Sequence, residues 1–402
     1  LANSILIVGD EGAIVVDTME SARAAKAVKA EFDRITDKPI VAIIYTHNHY
    51  DHVMGAKVFA DGDRTEIYAH EKLMPAIERS QKVLRSAMTS RNVRQFGILL
   101  PPSMHHGSGI GPRLVLDGFG AHSQFLPPTI TVGDGRTPLT IAGVQLELVH
   151  APGETPDQLY VWLPRKHALL CGDNYYRAFP NLYAIRGTPY RDPRHWADSL
   201  DLMIAEKAEY LIPSHTSPLS GRGVVRQVLT DYRDAIRSVI DQTYAGMNAG
   251  LTTDEIVEIV RLPEALANKP YLKETYGTVA WSIRAICTGS LGWFDGNPTR
   301  LFPLSPVERA KRVVELSGGE RNLLQQVRAA IDKADYQWAA ELADHLIALA
   351  EKPGEAHTLK AKALVALASR QTSANARNYY LSCARELERA VRDTEAKNAS
   401  GN

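Results

Sequence analysis

Cysteine is scarce in this chain. Cys171, Cys287 and Cys383 are three in 402 residues and far apart, which excludes a disulfide scaffold and any dependence on oxidising conditions. No run of apolar residues approaches the roughly 18 of a membrane span. Neither charge is in excess, with 46 Lys+Arg against 46 Asp+Glu. A balanced chain has no general electrostatic reason to bind nucleic acid or an anionic membrane, so any anion recognition is local. No charged-then-apolar leader follows Leu1, and the location stays open between bacterial-type cytoplasmic and exported. What is present is length. A chain this long exceeds one compact core, and two or three domains are expected.

Residues 1–220 alternate short apolar runs with helical patterns. Ile5–Val8, a Gly-containing turn and Ala13–Val16 read as a hairpin. Ser21–Phe32 is helical, and Ile40–Tyr45 is a buried strand. Glu66–Ala69 and Glu71–Met88 read as a strand and a helix. Thr129–Val132, Val144–Val149, Leu159–Leu163, Ala168–Cys171 and Tyr210–Pro213 are strand-like. Strands mixed with helices in this order predict an α+β arrangement, two sheets or one folded sheet covered by helices. Residues 94–128 are irregular, broken by Pro101-Pro102 and several glycines including Gly118 and Gly120. The segment is expected to wall a site with Phe96, Ile98, Leu99 and Leu100. From about Val224 the chain is nearly all helical. Residues 322–391 read as two helical hairpins of tetratricopeptide-like pattern, with Trp338, Leu342 and Leu346 as a packing seam. Trp293-Phe294 reads as core at a domain junction. The expected domains are 1–245, 246–395 and a flexible tail, 396–402.

The chemistry gathers at strand ends. Residues 46–52 read Thr-His-Asn-His-Tyr-Asp-His directly after a buried strand. In an extended segment positions i and i+2 face the same side, so His47 and His49 can share one metal ion, and Asp51 continues the alternation. His52, on the next turn, can address a second ion. Later strand ends carry more ligand types. His150 or Glu154 can complete the first ion, Asp173 can bridge two cations, and His215 closes a last strand. His105-His106 reads as a surface loop pair.

The spacing H-x-H-x-D-H, the downstream Gly172-Asp173 and the strand-end His215 resemble the metallo-β-lactamase superfamily. Glu154 in Pro-Gly-Glu-Thr-Pro, where that superfamily usually has histidine, resembles its alkylsulfatase branch. So do Leu182–Gly187, Tyr276–Val279, Leu291–Pro298 and Tyr336–Trp338. The resemblance covers essentially the whole chain. It implies an αββα sandwich followed by an all-α dimerisation domain, and hence a homodimer. It also implies two divalent ions, zinc foremost: His47, His49 and Glu154 on one, Asp51, His52 and His215 on the other, with Asp173 bridging. His150 then becomes a supporting or packing histidine. The chain departs from that branch in three ways. Asp173 stands in Gly-Asp-Asn where glutamate is usual, residues 175–180 differ, and the sterol-carrier-like domain that closes the family's chains has no counterpart.

Two ions held about 3.5–4 Å apart can activate a shared water. Asp51 and Asp173 are the carboxylates expected to take part in the chemistry. Arg186 and Arg191 match the oxygen geometry of sulfate or phosphate. Both lie in a segment with Asn181, Tyr183 and Gly187, and the resemblance implies that an asparagine and arginines of this stretch hold the sulfate, with Tyr183 expected beside them. The expected function is hydrolysis of a small anionic ester, an organic (alkyl) sulfate, to alcohol and sulfate. A phosphoester, lactone or other ester hydrolase on the same fold is the alternative. A non-enzymatic dimeric interaction protein is a third reading, which the intact ligand set argues against. A flavodiiron oxidoreductase is disfavoured because His49 stands where such proteins typically have glutamate.

Overall fold

β-Branched and aromatic runs between turn residues make the strands of the first of two units. The computed structural model describes residues 1–114 and 124–400. By contacts the chain divides into Leu1–Thr89 with Gly107–Trp293, and Ser90–His106 with Phe294–Asn402.

The first unit holds two sheets. One has the order β1 (Ile5–Val8), β2 (Ala13–Val16), β3 (Ile40–Ile44), β4 (Glu66–His70), β5 (Ile130–Val132). Only its β1–β2 pair is antiparallel. The other runs β11 (Leu219–Ser220), β10 (Tyr210–Pro213), β9 (Ala168–Gly172), β8 (Leu159–Leu163), β7 (Val144–His150), β6 (Arg136–Ile141). In it β9 and β10 are parallel.

Alternation along each strand sends its two faces to different cores. Ile14, Val16, Ala42 and Ile44 meet Leu146, Leu148, Val161 and Leu170 between the sheets. Val15, Ile43, Ile67 and Ala69 point the other way, toward Ala25, Phe59, Leu73 and Ile77 of the covering helices. Helix Arg222–Asn248 lies against β10 and β11. These layers are the expected sandwich. Because β2, β3 and β4 are parallel, their C-terminal ends share one edge, and β9 and β10 do the same in the second sheet. The Leu159 N–H donates to the Thr46 carbonyl at 2.8 Å and joins the two edges.

The second unit is helical, with Glu320–Asp332, Tyr336–Leu349, Glu355–Ser369 and Ala374–Ser400 forming the expected hairpins. Several local expectations change. The helix expected over 71–88 breaks into Leu73–Glu78, a wider turn at Arg79–Val83 and Arg85–Gln95. Strand β6 was not foreseen, since Pro138 interrupts it; β6 is an edge strand, where proline's missing N–H costs nothing. Residue 245 falls inside a continuous helix, and the first unit runs on to Trp293. The last helix continues to Ser400, through most of the expected tail. Leu342 and Leu346 are buried in the second unit's own core, while Trp338 is half exposed. Trp293 is 72% exposed, not core. Leu100 packs on Ala368 and Leu381 of the second unit, and Leu99 is exposed. Their expected role as a substrate wall therefore lapses for those two residues. Gly118 and Gly120 lie outside the described residues.

Candidate metal centre

Asp17 organises the shared edge. It follows β2 with φ +59, a left-handed conformation uncommon for a residue with a side chain. Its carboxylate is fully buried. It accepts from the Thr46 N–H (2.8 Å), the Thr46 hydroxyl (2.9 Å) and the Ser214 hydroxyl (2.8 Å). Its Oδ2 also lies 2.7 Å from His52 Nδ1. One side chain thus ties together the ends of β2, β3 and β10, where the histidines begin.

The seven expected ligands come together there. His47, His52, Glu154, Asp173 and His215 are buried, and His49 and Asp51 are partly so. His47, His49 and Asp173 each offer an atom within 4.8 Å of the others, and so do Asp51, His52 and His215. Asp173 Oδ2 lies 3.7, 3.6 and 3.3 Å from the Nε2 atoms of His47, His52 and His215. Asp51 Oδ2 lies 3.3 Å from His215 Nε2. Donors on a tetrahedral ion with bonds of about 2.0–2.1 Å stand some 3.3 Å apart, so these spacings suit ions. Glu154 sits at the rim, its Oε1 3.8 Å from His49 Nδ1.

Unpaired atoms supply the fit test. His52 gives its Nδ1 to Asp17, and its Nε2 is buried without a hydrogen bond, as are Glu154 Oε2 and Asp173 Oδ1. Bare donors like these are costly without a cation. The residues therefore fit a pair of metal ions, a donor set of imidazole and carboxylate being suited to zinc and its neighbours. The carboxylates Asp173, Asp51 and Asp17 outweigh burial and raise the His52 pKa well above its usual value, whereas burial lowers those of His47 and His49, so the field favours positive charge beside His52. His215 is pushed up to about 10, its burial outweighed chiefly by Asp173.

Two glycines make the approach possible. A Cβ at Gly153 would lie 2.1 Å from Asn174 Oδ1, so only glycine lets the turn before Glu154 settle on Asn174. Gly172, at φ +56, turns the chain from β9 into Asp173.

The anion residues divide. Asn181 is buried, and neither atom of its side-chain amide has a hydrogen-bond partner. Arg186 Nη2 lies 2.8 Å from His49 Nε2. Arg191 is also buried. Its Nη1 reaches the Asn181 carbonyl (2.6 Å) and Glu154 Oε1 (3.1 Å), while its Nη2 is buried and unpaired. Tyr183 is half-buried. Burial raises the Glu154 pKa, and Arg191 opposes that rise. Sequence reading missed Asp17, Ser214 and Tyr276. Tyr276 is buried and its hydroxyl feels Glu154, Arg186, Asp51 and Arg191. An aspartate ending a buried strand, like Asp173, was the available signal for Asp17.

His150 lies apart from the seven residues gathered above. It stacks on His70, centroids 4.0 Å apart, and both face Asp134. The Lys72 N–H donates to His70 Nδ1, which puts the ring's proton on Nε2, toward Asp134. His150 Nε2 lies 2.9 Å from the Pro156 carbonyl, which leaves its Nδ1 as the bare nitrogen 3.0 Å from Asp134 Oδ1, and His70, Asp134 and His150 form a separate group of ligand-type atoms. His105 is likewise committed, 2.9 Å from the Phe96 carbonyl.

Residues 1–215 match the family described as metallo-beta-lactamase superfamily, and residues 252–390 match alkyl sulfatase dimerisation. A linear primary-alkylsulfatase of Pseudomonas sp. (strain ATCC 19151) is 40% identical over 95% of this chain and 73% of its own. The chain belongs to the alkylsulfatase branch of the metallo-β-lactamase superfamily. An (R)-specific secondary-alkylsulfatase of Pseudomonas sp. is 33% identical over 99% of this chain. An alkyl/aryl-sulfatase of Saccharomyces cerevisiae is 30% identical over 97%. The solved stereoselective inverting sec-alkylsulfatase Pisa1 from Pseudomonas sp. superposes with a TM-score of 0.90 at 33% identity, over 96% of this chain and 62% of that one. This chain spans 62% of each of those two relatives as well. No helix among the described residues is long and apolar enough to cross a membrane.

Proposed function

We propose that this chain hydrolyses organic sulfate esters to alcohol and sulfate with the help of two divalent ions, zinc foremost. His47, His49 and Glu154 would hold one ion, Asp51, His52 and His215 the other, and Asp173 would bridge. The observation that carries the reading is the convergence of both ligand groups on Asp173 Oδ2. Bound there, the ions would lower the pKa of a water toward neutrality and polarise the ester.

The side chains set the substrate class. Two divalent ions against Glu154, Asp51 and Asp173 leave about one positive charge. Arg186 and Arg191 raise that to about three, which calls for an anion. Asn181 Nδ2 and Arg191 Nη2 are buried, unpaired donors of the kind that sulfate oxygens accept from. Tyr183 belongs to the same segment. Asp51, partly exposed and 3.3 Å from His215, would orient the attacking water and accept its proton.

The test is elemental analysis of the purified protein with a panel of sulfate, phosphate and carboxylate esters. Two ions per chain and chelator-sensitive turnover of alkyl sulfates are expected. Inert alkyl sulfates with turnover of a phosphoester or lactone would favour the alternative, to which the short Asp173 lends some weight. Hydrolysis in oxygen-18 water shows whether carbon–oxygen or sulfur–oxygen cleavage occurs. The match to alkyl sulfatase dimerisation supports a homodimer. Sedimentation should give twice 44.3 kDa, and a monomer would refute it.

A further inference from the structure

The two ligand groups differ in what stands behind them. Behind His52 is an anion: Asp17 Oδ2 at 2.7 Å from Nδ1, its carboxylate fully buried and anchored by three other donors. A carboxylate behind a ligating imidazole makes it a stronger donor. Asp51 and His215 ion-pair with no arginine or lysine among the described residues. Behind the other group stand cations. Arg186 Nη2 lies 2.8 Å from His49 Nε2 and sets a positive charge beside that ring. Arg191 lies 3.1 Å from Glu154 Oε1, both side chains 2% exposed. The remaining member, His47, has Thr46 Oγ1 3.0 Å from its Nδ1, a neutral hydroxyl that donates in turn to Asp17 at 2.9 Å and so puts that anion one bond further off than it stands from His52. In a buried site these charges act at low dielectric. Guanidinium groups withdraw charge from the ligands they touch and repel the ion those ligands hold.

We propose that the two ion positions are unequal by construction. The Asp51–His52–His215 position binds tightly and fills first, and the His47–His49–Glu154 position holds a weakly bound, strongly polarising ion that meets the anionic ester. This rests on the two-ion reading and deepens it. Arg191 acquires a second task. One arm faces the anion, and the other tunes the first ion through Glu154, trading retention for polarising power. In that task it is a positioning residue, as is Asp17 for the second ion.

The test is titration of chelator-stripped, full-length protein with Co²⁺ alone, followed by absorption and by competition with a chelator. No ester is present, so a role confined to substrate contact moves nothing. Wild type should bind two ions in two steps separated by about tenfold or more. His49→Ala should abolish only the weaker step and His215→Ala only the stronger. Arg191→Met should tighten the weaker step by about tenfold and leave the stronger in place. Arg186→Met should act in the same direction, and serves if Arg191→Met does not fold. Asp17→Asn should weaken the stronger step by about 10–100-fold. Damage to the fold loosens ions, so tightening on loss of an arginine is a signature that a structural role does not produce. Two equal steps in wild type, or arginine variants that bind the weaker ion less well or unchanged, would overturn the inference. A wild-type chain that takes up no Co²⁺ would instead overturn the two-ion reading beneath it.

Discussion

Asp157 shows how closely the site's surroundings are drawn. It is buried, and its Oδ1 accepts from Asn48 Nδ2 at 2.5 Å, while its Oδ2 has no partner. Burial pushes its pKa up to about 6 from 3.8, against the bonds from Thr155 and Asn48. The folded state therefore holds this proton more firmly than the unfolded chain. Stability falls as pH rises from about 4 through 6, and the loss is complete above that. A shift of about two units corresponds to roughly 3 kcal/mol. Asp157→Asn should then be more stable than wild type by roughly 1–3 kcal/mol at pH 8, with no gain at pH 3. Urea unfolding at both pH values checks this, and a gain at the acid value would contradict the account. At this scale the sequence was informative where one residue type at one strand end has few other uses. His47, His49, His52, Asp173 and His215 were legible for that reason. Arg191 was half legible. Its charge pointed to an anion, but the carboxylate it meets first, Glu154, arrives from a different strand end. Asp17 carried the same strand-end signal as Asp173, but its bonds to Thr46, His52 and Ser214 form only when β2 lies beside β3 and near β10.

Elements were legible where period and composition agree. Every strand but β6 and β11, and the four late helices, follow from apolar runs and three-to-four spacing. Boundaries were not, because a helix does not announce which body it joins. Arg222–Asn248 runs straight through the expected border and stays with the sheets. The segment Ser90–His106 is the reverse case. It reads as part of an irregular loop, yet it belongs with the C-terminal helices. Leu100 joins Ala368 and Leu381, and Arg94 pairs with Glu386 through a bidentate contact. A fragment of residues 294–402 should therefore be incomplete. Adding a synthetic peptide of residues 90–106 should raise its melting temperature and bury Tyr380, read by circular dichroism and tyrosine fluorescence. No response to the peptide would mean that the segment only rests on the helices.

For the whole molecule, the proposed ions touch one unit alone. All seven ligands lie in the Leu1–Thr89 and Gly107–Trp293 unit. An ion at 100 times its Kd stabilises the fold that binds it by about 2.7 kcal/mol. Calorimetry should show two transitions. Chelator should lower one of them by several degrees and leave the other in place, while a common shift of both would show that the units unfold together.

The excursion of Ser90–His106 also orders events during synthesis. Leu100 leaves the ribosome long before Ala368 and Leu381 exist, and the strands that flank it in sequence close into sheets without it. A stretch of apolar surface must wait, exposed, for the end of the message to be read. Nascent chains stalled before the final helices should be the ones that chaperones hold longest.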